Sequence, residues 1–190
     1  ELLMRVNSKT KVWVSDPTWA NHIPLLGDAG LELHTYPYFD KASASIKFDE
    51  MMDCLSKVNA GDVVLLHGCC HNPTGADLTK EQWQEIAKLA NKVGFLPFVD
   101  TAYQGFGEGV EQDAYGLRLL ANTVPEVLFA ASCSKNFGLY RERVGAVGLV
   151  GANAQAARAA FTHFLSIVRG IYSMPPDHGA AIVAEILTDA

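Results

Sequence analysis

The sequence predicts an α/β domain of three layers, a mostly parallel sheet with helices on both faces. Three observations predict it. Short apolar runs alternate with stretches of helical spacing along all 190 residues. One run, "DVVLLHG" (62–68), is apolar without a break between turn signals, the pattern of a strand buried on both faces. No repeat and no low-complexity segment interrupts the alternation, and the length suits one domain.

The elements follow in order. "KVWVSD" (11–16) reads as a strand, and residues 18–29 as a short helix ending near Gly30. "LELHTYP" (31–37) alternates as a strand does. Residues 47–58 carry helical spacing through Phe48, Met51, Met52 and Leu55. After the strand at 62–68, Thr79 opens a helix. Gln82 stands three residues on and completes a capping box. That helix runs to about Val93 and stops at Gly94. "FLPFVD" (95–100) is the next strand, 113–123 a helix, "VLFAA" (127–131) and "RVGAVGLVG" (143–151) strands. An Ala-rich helix covers 152–168 and a last one 176–188.

Composition excludes several classes. About half the residues are hydrophobic, enough for a full core, and the net charge of −6 argues against nonspecific nucleic-acid binding and anionic membranes. No apolar run approaches a membrane span, and no signal peptide opens the chain. The four cysteines (Cys54, Cys69, Cys70, Cys133) form no C-x-x-C pair, so no metal is expected, and free thiols suit a reducing, cytoplasmic setting. Both ends, Glu1 and "AAIVAEILTDA", read as cuts in a longer protein.

Right-handed crossovers gather the strand C-termini on one edge, and ligands of such sheets bind there. The residues just past strands are therefore the candidates: His67 and "HNPTG" (71–75), Asp100 and Tyr103, Ser132 and Lys135. Each alone has a plainer reading. Asp100 suits a turn cap, Asn72 an Asn-Pro turn, Lys135 a solvated loop, and Arg143 a surface pair with Glu142 or Glu108. Together they supply an amide, a carboxylate with a phenol, and an amine with hydroxyls. A lysine losing solvation offers a nucleophilic amine for Schiff-base chemistry. A carboxylate can hold a pyridinium nitrogen protonated, a phenol and an amide can bond a ring oxygen, and serines with an arginine suit a phosphate. That is the inventory of a pyridoxal phosphate (PLP) site. The glycine-rich "GFGEG" (105–109) fits neither a dinucleotide nor a P-loop motif.

Five motifs extend this reading: "DPTWANH" (16–22), "HGCCHNPTG" (67–75), "VDTAYQGF" (99–106), "SCSKNFGLYRERVG" (132–145) and "RGIYSMPP" (169–176). Over nearly all 190 residues the chain resembles the class I aspartate/aromatic amino acid aminotransferases of PLP fold type I. The resemblance implies that Lys135 forms the internal aldimine and then shuttles the proton. Asp100 would pair with the pyridine nitrogen, with His22 or His67 behind it. Tyr103 and Asn72 would bond the ring's 3′ oxygen, and Asn72 would also touch the substrate carboxylate side. Ser132 and Arg143 would hold the phosphate, with Ser134 beside them, and Trp19 would stack on the ring. Arg169, near Ser173, would reach into the neighbouring subunit's site and fork onto a substrate side-chain carboxylate, which makes a homodimer with shared sites.

The resemblance also implies cis bonds at Asp16–Pro17 and Asn72–Pro73. Met174 stands where dicarboxylate-specific members usually carry Asn, which leaves aromatic donors open beside aspartate. Family chains are about twice as long, so residues 1–190 read as the central part of the large domain. The N-terminal segment and the C-terminal small domain would be absent, together with the arginine for the α-carboxylate, and this piece would be inactive alone. Two other readings compete: another fold type I PLP enzyme, a lyase or synthase, and a noncatalytic truncated α/β module.

Overall fold

A computed structural model describes residues 1–189. The elements in chain order are α1 (Leu2–Val6), β1 (Lys11–Asp16), α2 (His22–Gly27), β2 (Glu32–Pro37), β3 (Phe39–Asp40), β4 (Ser45–Ile46), α3 (Phe48–Leu55) and β5 (Val63–His67). Then come α4 (Lys80–Val93), β6 (Leu96–Thr101), α5 (Val110–Asp113), α6 (Tyr115–Thr123), β7 (Val127–Ser132), β8 (Gly145–Val150), α7 (Ala154–Ile171) and α8 (His178–Thr188).

Six strands form one sheet in the order β2-β1-β5-β6-β7-β8, with only the β7–β8 pair antiparallel. The strand order reverses between β1 and β5, which creates the crevice where such sheets bind ligands.

Side-chain parity sorts the core into two layers. On β5, Val64 and Leu66 join one apolar cluster with Met51 and Leu55 of α3, Trp83 and Ile86 of α4, and Leu120 of α6. Val63 and Leu65 point the other way, into a cluster with Val12, Val14 and Leu26 of α2, against which Leu3 and Met4 of α1 pack. The unbroken apolar run thus does serve two faces, and the three layers follow from it.

Helix α4 begins and ends as its residues dictate. The Thr79 side chain accepts from the Gln82 backbone N–H, and the Gln82 side chain accepts from that of Thr79. Gly94 closes the helix in the left-handed conformation, at φ 85°.

Several boundaries differ from the sequence reading. The helix read over 18–29 is only His22–Gly27, because the chain stays irregular after the cis Asp16–Pro17 bond and commits Thr18 and Trp19 to the ligand crevice. The helix read over 113–123 starts at Tyr115, because Asp113 ends a separate short helix that precedes it. Asp113 accepts the backbone N–H groups of Gly105, Gly107 and Glu108, which ties down the glycine-rich loop. The strand read from 143 starts at Gly145, because Arg143 itself adopts φ 54° in a turn. Helix α1 and the β3–β4 hairpin were not legible; each is too short to show a period. Both cis bonds are present, at Asp16–Pro17 and Asn72–Pro73.

Candidate active site

The parallel register brings the candidate side chains together. His67 pairs with Asp100 across β5 and β6, and Asp100 pairs with Ala130, two residues before Ser132. Parity therefore sends His67, Asp100 and Ser132 to the same face of the sheet. They meet the start of α2 there, where His22 Nε2 lies 3.0 Å from Asp100 Oδ2.

A cavity of about 310 Å³ opens at these strand ends. Trp19, His67, Asn72, Asp100, Tyr103, Ser132, Ser134, Lys135 and Arg143 all line it. A cavity of similar size, about 320 Å³, opens at the opposite edge of the sheet among Leu3, Val6, Phe95 and Leu96, where Glu126 is the one charged group and no lysine, arginine, histidine or cysteine joins it. Chemistry rather than volume singles out the strand-end site.

Lys135 arrives on the turn after β7. The Ser134 backbone N–H donates to Ser132 Oγ at 3.1 Å, and the N–H of Gly138 donates back to the Lys135 carbonyl at 3.1 Å. Lys135 Nζ lies 4.7 Å from the centre of the Tyr103 ring, within cation–π range. Arg143, five residues beyond Gly138, donates to the Tyr140 carbonyl at 2.8 Å. Its positive φ is costly for a non-glycine residue and is held by the turn that aims the guanidinium at the cavity. Trp19 is 39% exposed and meets His22 edge-to-face at 5.2 Å, so it stands at the mouth.

Behind Asp100 runs a chain of bonds. Thr18 Oγ1 sits 2.8 Å from His22 Nδ1 and 3.1 Å from His67 Nε2. Burial, reinforced by the neighbouring imidazoles of His71 and His22, pushes His67 down to about 3. A neutral His67 can then donate its Nε2–H to Thr18, whose hydroxyl donates to His22 Nδ1. That leaves the His22 Nε2–H to be given to Asp100. One proton direction satisfies every contact and orients the carboxyl toward the cavity. Burial likewise depresses His71, to about 4.

Of the two histidines expected near Asp100, His22 bonds its carboxyl directly, and His67 connects to it through Thr18 and His22. The sequence reading missed Thr18, the bridge between them, and Tyr140 and Cys69 on the cavity wall. Thr18 lies inside "DPTWANH", but its role needs the fold to bring His67 alongside. Burial first, and the nearby Asp113 carboxylate second, push the Cys69 thiol well above the ordinary range, which leaves it inert. Cys69, Cys70 and Asp113 do bring potential ligand atoms within 4.8 Å of one another, although both Asp113 oxygens already accept backbone N–H groups. Arg169 stands apart from the cavity. It is exposed near the end of α7 and donates to Ser173 Oγ.

Fold and site together define an α/β protein with a switch-point crevice carrying a lysine opposite a carboxylate. The family described as "Aminotransferase class I and II" matches residues 1–190. The aromatic-amino-acid aminotransferase of Paracoccus denitrificans is 51% identical over 188 residues, covering 99% of this chain and 48% of that protein. The aspartate aminotransferase of Escherichia coli (strain K12) is 49% identical over 189 residues, covering 100% of this chain and 48% of that protein. A solved aromatic-amino-acid aminotransferase from Burkholderia pseudomallei, covalently bound to pyridoxal phosphate, superposes with a TM-score of 0.96 at 42% identity, covering 98% of this chain and 47% of that one. This chain belongs to the class I and II aminotransferases. It spans about half the length of the curated relatives it matches.

Proposed function

We propose that the chain is the central part of the PLP-binding large domain of a transaminase. The enzyme would move an amino group between an L-amino acid, aspartate or aromatic, and a 2-oxo acid such as 2-oxoglutarate. The carrying observation is the convergence of Lys135, Asp100, Tyr103, Asn72, Ser132, Ser134 and Arg143 on one cavity.

The donor set fits PLP. It holds one amine for a carbonyl, one carboxyl for a ring nitrogen, a phenol and an amide for a ring oxygen, and hydroxyls with a guanidinium for a phosphate. When bound, the cofactor supplies a ring that withdraws electrons from the substrate α-carbon.

The residues do the rest. Lys135 would hold the cofactor through its amine and would serve as the general base and acid that moves a proton at the substrate α-carbon. Asp100, oriented by His22, Thr18 and His67, keeps the proton on the ring nitrogen. Tyr103 and Asn72 donate to the ring oxygen, and Ser132, Ser134 and Arg143 bind the phosphate. Trp19 covers the ring at the mouth, and Asn72 faces the substrate carboxylate.

Arg169, exposed and away from its own cavity, suits a homodimer in which it serves the partner's site and forks onto a substrate carboxylate. Among the described residues no helix is long and apolar enough to cross a membrane. The four free thiols support a reducing, cytoplasmic location.

The test is product analysis of the protein as encoded, with aspartate or an aromatic amino acid plus 2-oxoglutarate. The reading expects glutamate together with the 2-oxo acid of the donor, and loss of both in Lys135→Ala. Donor consumption without its 2-oxo acid would point to a lyase instead.

A further inference from the structure

We propose that His71, which does not line the cavity, is a positioning residue that fixes the Asn72 amide toward the cofactor's ring oxygen, with Tyr38 as its backing plate. The inference rests on the aminotransferase reading and deepens it.

His71 is 2% exposed, and every direction around it is used. Its Nε2 lies 2.9 Å from Ser15 Oγ on β1, and its Nδ1 lies 2.9 Å from Thr74 Oγ1 in its own loop. One ring face stacks on Tyr38 at 4.1 Å and 15°. The other meets His67 at 4.1 Å and 40°. Its backbone N–H donates to Asp77 Oδ1 at 2.8 Å, and its carbonyl accepts from the Gly75 N–H at 2.6 Å. Tyr38 returns to the same loop by donating its hydroxyl to the Ala76 carbonyl at 2.5 Å.

These contacts close the loop 71–77 on itself and pin it to β1 and to the residue after β2. Asn72 follows His71 directly and lines the cavity. Its amide is thus carried by a backbone that His71 holds from six sides. An apolar ring would fill the space between Tyr38 and His67 equally well, so packing does not require an imidazole. Direction does: the two ring nitrogens tie the loop to Ser15 and Thr74 at fixed angles, and removing them takes a partner from each hydroxyl, leaving Thr74 Oγ1 only the Ala76 N–H.

The consequence is readable in the cofactor's spectrum. An amide N–H given to the ring oxygen draws charge from it and lowers the proton affinity of the neighbouring lysine–cofactor nitrogen. Misplacing Asn72 should raise that affinity. The experiment uses the holoprotein as encoded and titrates the absorbance band of the lysine-bound cofactor with pH. It compares wild type, His71→Phe, Asn72→Ala and the double variant.

Asn72→Ala should raise the midpoint by about one pH unit, His71→Phe should do the same, and the double variant should go no further than Asn72→Ala. A wild-type midpoint in His71→Phe with the band intact, or fully additive shifts in the double variant, overturns the proposal. If His71→Phe does not fold, Ser15→Ala and Thr74→Val each remove one tether and should give smaller upward shifts, and two unchanged midpoints overturn it. Absence of the band in wild type instead sinks the aminotransferase reading itself.

Discussion

Asp100 carries the sharpest consequence at the scale of single residues. Its carboxyl is reached by His22 at 3.0 Å and faces the cavity. Asp100→Asn keeps the shape but removes the charge opposite the ring nitrogen, so kcat should fall at least about a hundredfold, measured by steady-state turnover. His22→Phe removes the donor that orients Asp100 and should cost about tenfold in kcat, with the loss confined to the chemical step. An unchanged kcat in His22→Phe would mean that the chain from His67 through Thr18 is structural only.

The histidines also set an acid limit. The folded values of His67 (about 3) and His71 (about 4) lie below the ordinary 6.5. Below pH 6.5 the unfolded chain therefore binds more protons than the folded one. The stabilisation is complete above pH 6.5 and is lost as pH falls through 6.5 toward 4 and 3. Denaturant unfolding across this window should show stability dropping with acid. His71→Gln should make that slope shallower by about 1.4 kcal/mol per pH unit between roughly pH 4 and 6.5.

At the scale of elements, what could be read from sequence divides by the kind of signal. Helix α4 was legible to the residue because Thr79, Gln82 and Gly94 are local chemistry. Strand β5 was legible because its apolar run needs two covered faces. The early part of 18–29 was not, because Thr18 and Trp19 answer to His67 and the cavity, which are distant in sequence. The candidate residues were legible as types past strand ends. Their meeting on one face depended on register, which no single strand reveals.

Local signals also carry testable weight. Thr79→Ala should cost about 1 kcal/mol in urea unfolding through loss of the cap. Gly116→Ala should cost more, since a Cβ there would stand 2.3 Å from Trp83, which packs fully buried against α6. An equal cost for the two would contradict the close packing of α4 on α6.

At the scale of the whole molecule, the chain spans about half the length of its relatives. Val147 on β8 and Phe161 on α7 stand 55% and 60% exposed and line a groove of about 570 Å³ with Leu149 and Phe164. Contiguous apolar surface of this kind drives association. On the proposed transaminase reading, residues 1–190 expressed alone should therefore scatter light as self-associated species and show no transamination. Turnover by the 190-residue chain at the rate of the encoded protein would sink this part of the account.

The central claim is that Lys135 is the covalent anchor of a PLP site built by Asp100, Tyr103, Asn72 and Arg143. Borohydride reduction of the holoprotein followed by peptide mass mapping tests it most directly. The account predicts one pyridoxyl-phosphate adduct, on the peptide carrying Lys135, absent in Lys135→Ala. An adduct on another lysine, or none with the cofactor supplied in excess, would contradict it.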